Sequence, residues 1–256
     1  MSMKTLLTAP LSEIGFGAFH IGRVPGKKYF KYGQQIPNED AAKTILNGVL
    51  DSGIRLIDTA PSYGLSEERI GKYISERRSE YNLCSKVGEL FQDNKSSFDF
   101  TTQGMLRCVE NSLRTLRTDY LDILLLHAPP NDLDVLHKTD AVETLQQLKQ
   151  DGKTRSIGFS GKTVKAQLQA LEWADVMMIE YSLQNQSNEP VIVEARGKSK
   201  KILLKKVLQS GHLAAKDALD FIRKKTPRDG NFCTVLGSSS LERMKENYDL
   251  FTALES

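Results

Sequence analysis

The sequence predicts an α/β protein of the (β/α)8 type, a TIM barrel in which eight parallel strands alternate with helices. Three observations lead to this fold class. Short apolar runs alternate with amphipathic segments, eight strand–helix units can be counted in 256 residues, and the strand segments are continuously apolar. A doubly wound sheet is the competing architecture, but no GxGxxG sequence follows any predicted strand. We therefore expect one barrel domain that spans residues 1–256.

Each predicted strand is short, mostly apolar and followed closely by a polar residue or a glycine. The eight segments are residues 11–19, 54–57, 81–85, 120–126, 155–159, 176–180, 202–204 and 234–236. In the first of them, Gly15 and Gly17 predict the close approach of a neighbouring chain segment or a ligand.

Between the strands, apolar residues recur at helical spacing. The predicted helices are residues 37–52, a segment beginning at Ser66, residues 101–116, 139–150 and 164–173, a weaker helix after Pro190, and residues 214–224 and 241–254. Asn38 lies in the start signal of the first helix, and Gly53 ends it. Ser66 is predicted to cap the second helix, with Glu67 and Glu68 at the positive end of its dipole.

Composition and charge are those of an ordinary globular chain: 39% of the residues are apolar, 26% are charged, and the formal net charge is +3. Such a small, dispersed charge does not indicate a nucleic-acid partner, although it suits a phosphate-rich cofactor. The amino-terminal apolar run is too short for a signal peptide, and no segment reaches membrane-spanning length. The oligomeric state stays open, with a monomer favoured.

The three cysteines, Cys84, Cys108 and Cys233, are far apart and show no metal-ligand spacing. Each has apolar neighbours, so we expect reduced core residues, no metal site and a cytoplasmic location.

Polar residues follow three successive predicted strands, and in a barrel these strand ends converge on one mouth. Asp58 and Tyr63 follow the second strand, Lys86 the third and His127 the fourth. Taken singly, each has an ordinary explanation as a helix cap, a solvated side chain or a satisfied core residue. Together, a carboxylate, a phenol, an ammonium and an imidazole are typical of proton transfer to a carbonyl oxygen.

The expected roles follow from ordinary pKa values. A tyrosine with a pKa near ~10 is a weak acid, and a buried ammonium beside it is expected to stabilise the phenolate and lower that pKa. Asp58 is expected to keep Lys86 charged, and a neutral His127 to donate a hydrogen bond to the substrate oxygen. Because the set contains no evident nucleophile and no metal cage, a hydride or electron source must come from outside the protein.

These residues lie in segments that resemble the signatures of the aldo-keto reductase family, over nearly the whole chain. GIRLIDTAPSYGLSEERIG at residues 53–71 resembles its first signature, SKVG at 85–88 its lysine motif, and LLLHAPP at 124–130 its histidine motif. The resemblance implies NADPH-dependent reduction of small aldehydes or ketones by a barrel without a Rossmann domain. It implies Tyr63 as general acid, tuned by Lys86 and Asp58, with His127 orienting the carbonyl.

The resemblance also implies a set of cofactor-binding positions. They are Gly17, Ala18, Phe19, Asp58, Ser160, Lys205, Ser210, Gly211, Gly237, Ser238, Ser239, Arg243 and Asn247. Ser160 matches the residue that binds the nicotinamide carboxamide, and LGSSSLERMKEN at residues 236–247 resembles the adenosine-phosphate motif, with serines at a helix start. Arg243 is expected on the extra phosphate of NADP and Asn247 on the adenine, so NADP is preferred to NAD.

Three positions depart from the family pattern. Met178 stands where many members have a glutamine for the carboxamide, and Lys205 where many have an aromatic residue that stacks on the nicotinamide. Gly237 replaces a lysine that some members use on the phosphate. Lys205, Ser210 and Gly211 are alternatively expected at the pyrophosphate.

Residues 23–35 and 89–100 are predicted to be loops that shape an open substrate pocket with broad selection. The candidate lining residues are Phe19, His20, Tyr29, Phe30 and Phe91. The alternative function is an NADP-binding regulatory or sensor module with little turnover. A metal-dependent barrel hydrolase is a third hypothesis, but the sequence supplies no cluster of His or carboxylate ligands for the ion.

Overall fold

In the computed structural model, which describes residues 11–23, 36–93 and 95–254, eight parallel strands hydrogen-bond into a closed barrel. The barrel strands are β1 (Ile14–Gly17), β2 (Leu56–Asp58), β3 (Asn82–Val87), β6 (Leu121–His127), β7 (Thr154–Ser160), β8 (Val176–Glu180), β9 (Lys201–Lys205) and β10 (Phe232–Gly237). Strands β4 (Glu89–Gln92) and β5 (Lys95–Phe98) form a separate antiparallel pair. The barrel closes where β1 pairs with both β2 and β10, and the predicted fold class is confirmed.

Helices lie between the strands along the chain. They are α1 (Glu39–Asp51), α2 (Ser66–Tyr73), α3 (Thr102–Leu116), α4 (Asp132–Lys138), α5 (Ala141–Gln150), α6 (Val164–Ala170), α7 (Glu189–Gly197), α8 (Ala215–Lys225) and α9 (Leu241–Ala253). Asn38 caps α1, since its side chain accepts a hydrogen bond from the backbone N–H of Ala41. None of the helices within the described residues combines the length and hydropathy that crossing a bilayer would require.

The structure differs from the predicted elements at three places. Ser66 begins α2 but does not cap it, because its hydroxyl is paired with that of Thr59 at 2.8 Å. Part of the predicted loop 89–100 is the β4–β5 hairpin, whose strands are short and half-buried at most, so they give no signal of a buried strand. An additional helix, α4, precedes α5.

Two apolar cores hold the fold together. The larger one packs the helices against the outside of the barrel. The smaller one fills the barrel interior and consists of Leu11, Leu56, Cys84, Ile123, Leu125, Val176, Met178, Leu203, Cys233 and Val235. Because the interior is filled with side chains, the barrel is a packed core and not a pore.

A polar layer lies above this interior core, at the carboxyl ends of the strands. Successive strand residues point to opposite faces, so the residue two positions after an interior one faces inward again. Counting two residues on from interior positions reaches Asp58, Lys86, His127, Lys205 and Gly237. The predicted convergence of the strand ends therefore follows from strand periodicity and barrel closure.

Candidate active site

The polar layer contains a buried ion pair between β2 and β3. The ammonium of Lys86 donates to Oδ1 of Asp58 at 2.5 Å and to the carbonyl oxygen of Thr59 at 2.8 Å. Lys86 is 1% exposed and Asp58 is 4% exposed. Burial by itself lowers the pKa of Lys86, but the adjacent carboxylate of Asp58 outweighs it and keeps the pKa above its ordinary value. The predicted pairing is confirmed.

Tyr63 lies next to this pair, at the end of a short 3-10 turn (Pro61–Tyr63) that follows β2. The Lys86 ammonium is 4.7 Å from the centre of the Tyr63 ring. The backbone around Tyr63 packs directly on Gly22, because a Cβ at that glycine would lie 2.1 Å from the carbonyl oxygen of Tyr63. On the other side of the turn, Gly64 has a φ of +60° and the N–H of Leu65 donates to the carbonyl oxygen of Gly22.

The expected lowering of the tyrosine pKa is wrong in its net direction. Burial raises the pKa of Tyr63 to about 12, while the charge of Lys86 opposes that rise. The sequence indicated the neighbouring ammonium but gave no measure of how strongly the phenol is desolvated. Tyr63 is thus held in its protonated form, with a cation beside it.

His127 ends β6 and completes the group of predicted catalytic residues. Its ring stands edge-to-face to that of Tyr63, with 6.5 Å between the centres. Burial lowers the pKa of His127 to about 4, against an opposing effect of Glu89. The imidazole is therefore neutral near pH 7.

Glu89 is a site residue that the sequence analysis missed. Its Oε2 lies 2.8 Å from Nδ1 of His127, and its carboxylate accepts hydrogen bonds from Ser62 at 3.2 Å and Ser96 at 2.7 Å. The only sequence signal was its position three residues after Lys86, within a segment predicted to shape the pocket. Its contact with His127 could be identified only from the geometry of the β4–β5 hairpin.

One cavity of about 780 Å³ brings most of the predicted site residues together. From the predicted set it is lined by Gly17, Phe19, Asp58, Tyr63, His127, Lys205, Ser210, Gly211, Gly237, Ser238, Ser239, Arg243 and Asn247. Glu89, Arg23, Lys162 and Lys206 also line it, none of which was predicted. Asp58, Tyr63 and His127 therefore share a single space with most of the predicted cofactor positions.

The start of α9 forms one end of this cavity. Ser240 caps the helix by accepting from the backbone N–H of Arg243 at 3.3 Å, and Ser238 accepts from the backbone N–H of Ser240 at 3.0 Å. The guanidinium of Arg243 donates to the hydroxyl of Ser239 at 3.3 Å. A helix start with serines and an arginine is suited to binding an anion such as phosphate.

Lys205 and Ser160 lie together near the other end. The Lys205 ammonium donates to the hydroxyl of Ser160 at 2.8 Å, and Ser160 is paired with His127 in the register of β6 and β7. Burial and then the charge of Lys162 hold the pKa of Lys205 well below its ordinary value. Met178, in contrast, packs in the apolar interior below this layer and is 1% exposed.

Some predicted residues lie elsewhere. Ala18 is fully buried, and Ser160 reaches the cavity only through Lys205. Phe91 does not line the cavity, and the guanidinium of Arg23 covers its ring at 3.1 Å from the ring centre. Of the other lining candidates, Phe19 and His20 are at the cavity. Tyr29 and Phe30 lie outside the described residues. No group of three or more possible metal ligands occurs within residues 11–23, 36–93 and 95–254.

Known proteins resemble this chain in both sequence and structure. A family model described as the aldo/keto reductase family matches residues 13–256. The chain is 35% identical over 157 residues to L-galactose dehydrogenase of Arabidopsis thaliana, covering 59% of this chain and 45% of that protein. It is 32% identical over 160 residues to aldo-keto reductase YhdN of Bacillus subtilis, covering 60% and 44% respectively. The chain thus spans about half the length of the curated relatives that it matches.

Solved structures cover the chain more fully. A crystal structure described as an aldo-keto reductase from Pseudomonas aeruginosa has a TM-score of 0.84 and 34% identity, covering 94% of this chain and 89% of that one. An aldo-keto reductase from Klebsiella pneumoniae in complex with NADPH has a TM-score of 0.72 and 24% identity, covering 96% and 87%. At 24% identity, the likeness to the Klebsiella pneumoniae structure shows a shared fold and no more.

Proposed function

The chain belongs to the aldo/keto reductase family, and from this membership and the geometry of the cavity we propose that it is an NADPH-dependent oxidoreductase that reduces aldehydes or ketones to alcohols. The observation that carries the proposal is the placement of Tyr63 and His127 on one cavity wall, with the buried Lys86–Asp58 pair behind the phenol. A protonated phenol beside a cation is suited to giving its proton to a carbonyl oxygen that gains negative charge.

Tyr63 acts as the general acid in this proposal. Burial keeps the phenol protonated until the carbonyl oxygen needs the proton, since its pKa is raised to about 12. Once the proton has left, the Lys86 ammonium stabilises the phenolate, and Asp58 keeps that ammonium charged and in place. His127 orients the polar groups of the substrate from the neighbouring strand end.

The residues around the cavity fit NADPH, which supplies the hydride when it is bound. Ser238, Ser239 and the start of α9 would hold a phosphate, and Arg243 would hold the additional phosphate that distinguishes NADP from NAD. Lys205, which lines the cavity and donates to the buried Ser160, would meet the nicotinamide end of the cofactor in place of that serine. The remaining predicted positions on the cavity, Gly17, Phe19, Ser210, Gly211, Gly237 and Asn247, would line the same cofactor.

Loss of NADPH absorbance in the presence of a reactive aldehyde, such as a nitrobenzaldehyde, tests the proposal. We expect turnover by the unaltered chain and a loss of kcat of about 10³-fold in Tyr63→Phe, because the proton donor is removed while the ring remains. NADPH binding, followed by fluorescence titration, should be unchanged in that variant. Tyr73→Phe is the matched control, because the phenol that it removes lies at the end of α2 and donates to Glu39 at the start of α1.

Two results would contradict the proposal. Full activity in Tyr63→Phe would show that the phenol is not the acid. Tight NADPH binding without turnover on any carbonyl compound would instead favour the alternative, a regulatory or sensor module that holds NADP.

A further inference from the structure

A buried arginine on α2 contacts two segments that lie earlier in the chain. Nη1 of Arg69 donates to the carbonyl oxygen of Ile21 at 2.5 Å, while its Nε and Nη2 lie 2.8 Å and 2.7 Å from Oε1 of Glu39. Arg69 is 5% exposed, whereas the side chain of Glu39 is about half exposed. The guanidinium thus joins the turn after β1 to the first residue of α1, and it does so outside the lining of the cavity.

The carboxylate of Glu39 is the partner that a buried guanidinium needs. Its other oxygen, Oε2, accepts from the hydroxyl of Tyr73 at 2.5 Å and from the ammonium of Lys72 at 3.0 Å. Hydrogen bonds from Tyr73, Lys72 and Arg69 lower the pKa of Glu39 to about 2, so the group is ionised near neutral pH. With one side of the guanidinium paired in this way, Nη1 on the other side is available for the carbonyl of Ile21.

Ile21 ends the 3-10 turn that stands beside Tyr63. The turn Ala18–Ile21 carries Phe19, whose ring meets that of Tyr63 edge-to-face with 5.1 Å between the centres. Carbonyl groups at the end of a helical turn lack partners within it, and the guanidinium supplies one for Ile21. The next residue, Gly22, packs on the carbonyl oxygen of Tyr63. The carbonyl that is held therefore lies one residue away from the contact between the two turns.

We propose that Arg69 is a positioning residue that holds the phenol of Tyr63 in place by fixing the carbonyl of Ile21. The inference rests on the proposed function and gives a part in that reaction to a residue outside the cavity. A planar guanidinium donates in two directions at once, here toward Glu39 and toward Ile21. The single ammonium of a lysine does not reproduce this fork.

The first test reads the geometry of the turn and requires no catalysis. In deuterated protein with protonated Phe and Tyr rings, NOEs between ring protons report the contact of Phe19 with Tyr63, and their loss in Phe19→Leu assigns them. We expect these NOEs in the unaltered protein and their loss in Arg69→Ala. Lys72→Met, which removes only a donor to the other oxygen of Glu39, is the control and should retain them. NOEs of full intensity in Arg69→Ala would overturn the proposal.

The second test measures kcat with NADPH and a nitrobenzaldehyde. We expect kcat to fall about 30-fold in Arg69→Ala, since a small displacement is costly in a pre-organised site. Guanidinium chloride at millimolar concentration should restore part of the loss by binding where the side chain stood, and Lys72→Met should keep the full kcat. A role in stability alone would lower the free energy of unfolding in urea without lowering the kcat of the folded chain. An unchanged kcat in Arg69→Ala, or a loss on which guanidinium has no effect, would overturn the proposal.

Arg69→Lys is a second variant, which keeps a cation beside Glu39 and decides the matter if the alanine variant does not fold. Its ammonium is expected to stay with Glu39 and to leave the carbonyl of Ile21, so both the NOEs and kcat should fall. NOEs of full intensity or an unchanged kcat in Arg69→Lys would overturn the inference and leave the proposed reductase intact. No turnover by the unaltered protein would instead count against the proposed function, and the NOEs would still decide whether Arg69 fixes the turn.

Discussion

At the scale of single residues, the site depends on charges placed where water cannot reach them. Burial raises the pKa of Tyr63, and the charge of Lys86 lowers it again in part. Lys86 is itself kept charged by Asp58. A phenol that stays protonated over the whole neutral range is suited to an acid that must wait for hydride transfer. The same burial that raises the pKa of Tyr63 lowers that of His127, so the two residues remain neutral together.

Another buried group, outside the proposed chemistry, predicts a pH dependence of stability. Glu67 on α2 is 6% exposed and accepts hydrogen bonds from Ser85 at 2.6 Å and Ser112 at 3.1 Å. Burial raises its pKa from 4.5 to about 7, so between these values the folded chain holds a proton that the unfolded chain has released. The free energy of unfolding should fall by up to about 3 kcal/mol as the pH rises through this window.

Urea unfolding at pH 4.5 and at pH 7.5 measures this effect. Glu67→Gln should remove that part of the pH dependence, because its amide does not ionise. Glu68→Gln, on the exposed face of the same helix, should retain the behaviour of the unaltered chain. Identical pH profiles for Glu67→Gln and the unaltered protein would contradict the prediction.

At this scale the sequence indicated which residues lie together, but it did not indicate how their surroundings shift their pKa values. Asp58, Lys86 and His127 each follow an apolar strand, so their common location followed from the barrel. The pKa of Tyr63 depends on the balance of desolvation and charge, which no motif encodes. Glu89 was missed because its partner is 38 positions further along the chain, at the end of another strand.

At the scale of elements, the position of Tyr63 is set by two turns packed against each other. The 3-10 turn Ala18–Ile21 after β1 ends at Gly22, which touches the turn carrying Tyr63 with no room for a side chain. A Cβ at Gly22 would also lie 2.3 Å from the backbone nitrogen of Ser66. The contact thus links the first strand, the turn that carries Tyr63 and the start of α2.

Gly22→Ala is expected to move Tyr63 and reduce kcat by about 100-fold, because a shift of about 1 Å is costly in a pre-organised site. The glycine itself has a φ of −127°, so alanine meets a steric obstacle and not a backbone restriction. Steady-state kinetics and urea unfolding together check this. Gly197→Ala is the control, since a Cβ there has nothing within 4 Å. An unchanged kcat in Gly22→Ala would show that the two turns are independent.

Two features of the fold were not predicted from the sequence, each for its own physical reason. The β4–β5 hairpin has four-residue strands, and the second of them is exposed and polar except for Phe98, so no hydrophobic periodicity marks it. The cap of α2 was misassigned because Ser66 has the residue type of a cap but is used in a buried pair with Thr59. Exposure hid the hairpin, and a buried side-chain contact removed the cap.

At the scale of the whole molecule, the barrel brings residues from distant parts of the chain into one layer. The strand periodicity that fills the interior with apolar side chains places the polar residues above them, with Asp58 and Gly237 close to β1 on either side of the closure. The cavity therefore extends from Asp58, Tyr63 and His127 to the start of α9. Eight strand–helix units in the sequence were sufficient to predict this arrangement, whereas the precise lining required coordinates.

Cofactor binding at both ends of this cavity should stabilise the whole fold. NADPH at about 100 times its Kd should add about 2.7 kcal/mol, which corresponds to a rise in Tm of roughly 5 °C or more. NADH at the same concentration should give a smaller rise, because it lacks the phosphate assigned to Arg243.

Thermal melting with each nucleotide measures this difference. Arg243→Ala should weaken NADPH binding about 10-fold and bring the two nucleotides closer together, since a charge-assisted phosphate contact is lost. Lys245→Ala removes an exposed cation two residues further along α9 and should leave the difference unchanged. An equal Tm shift with NADPH and NADH in the unaltered chain would argue against the assignment of Arg243.

The most direct measurement of the central claim follows the hydride itself. NADPH carrying deuterium on the transferred position of the nicotinamide, mixed with an aldehyde and the protein, should place deuterium on the carbinol carbon of the alcohol and slow the single turnover. The account predicts one deuterium per alcohol formed and almost none formed by Tyr63→Phe in the same time. Alcohol without deuterium, or equal formation by the variant, would contradict it.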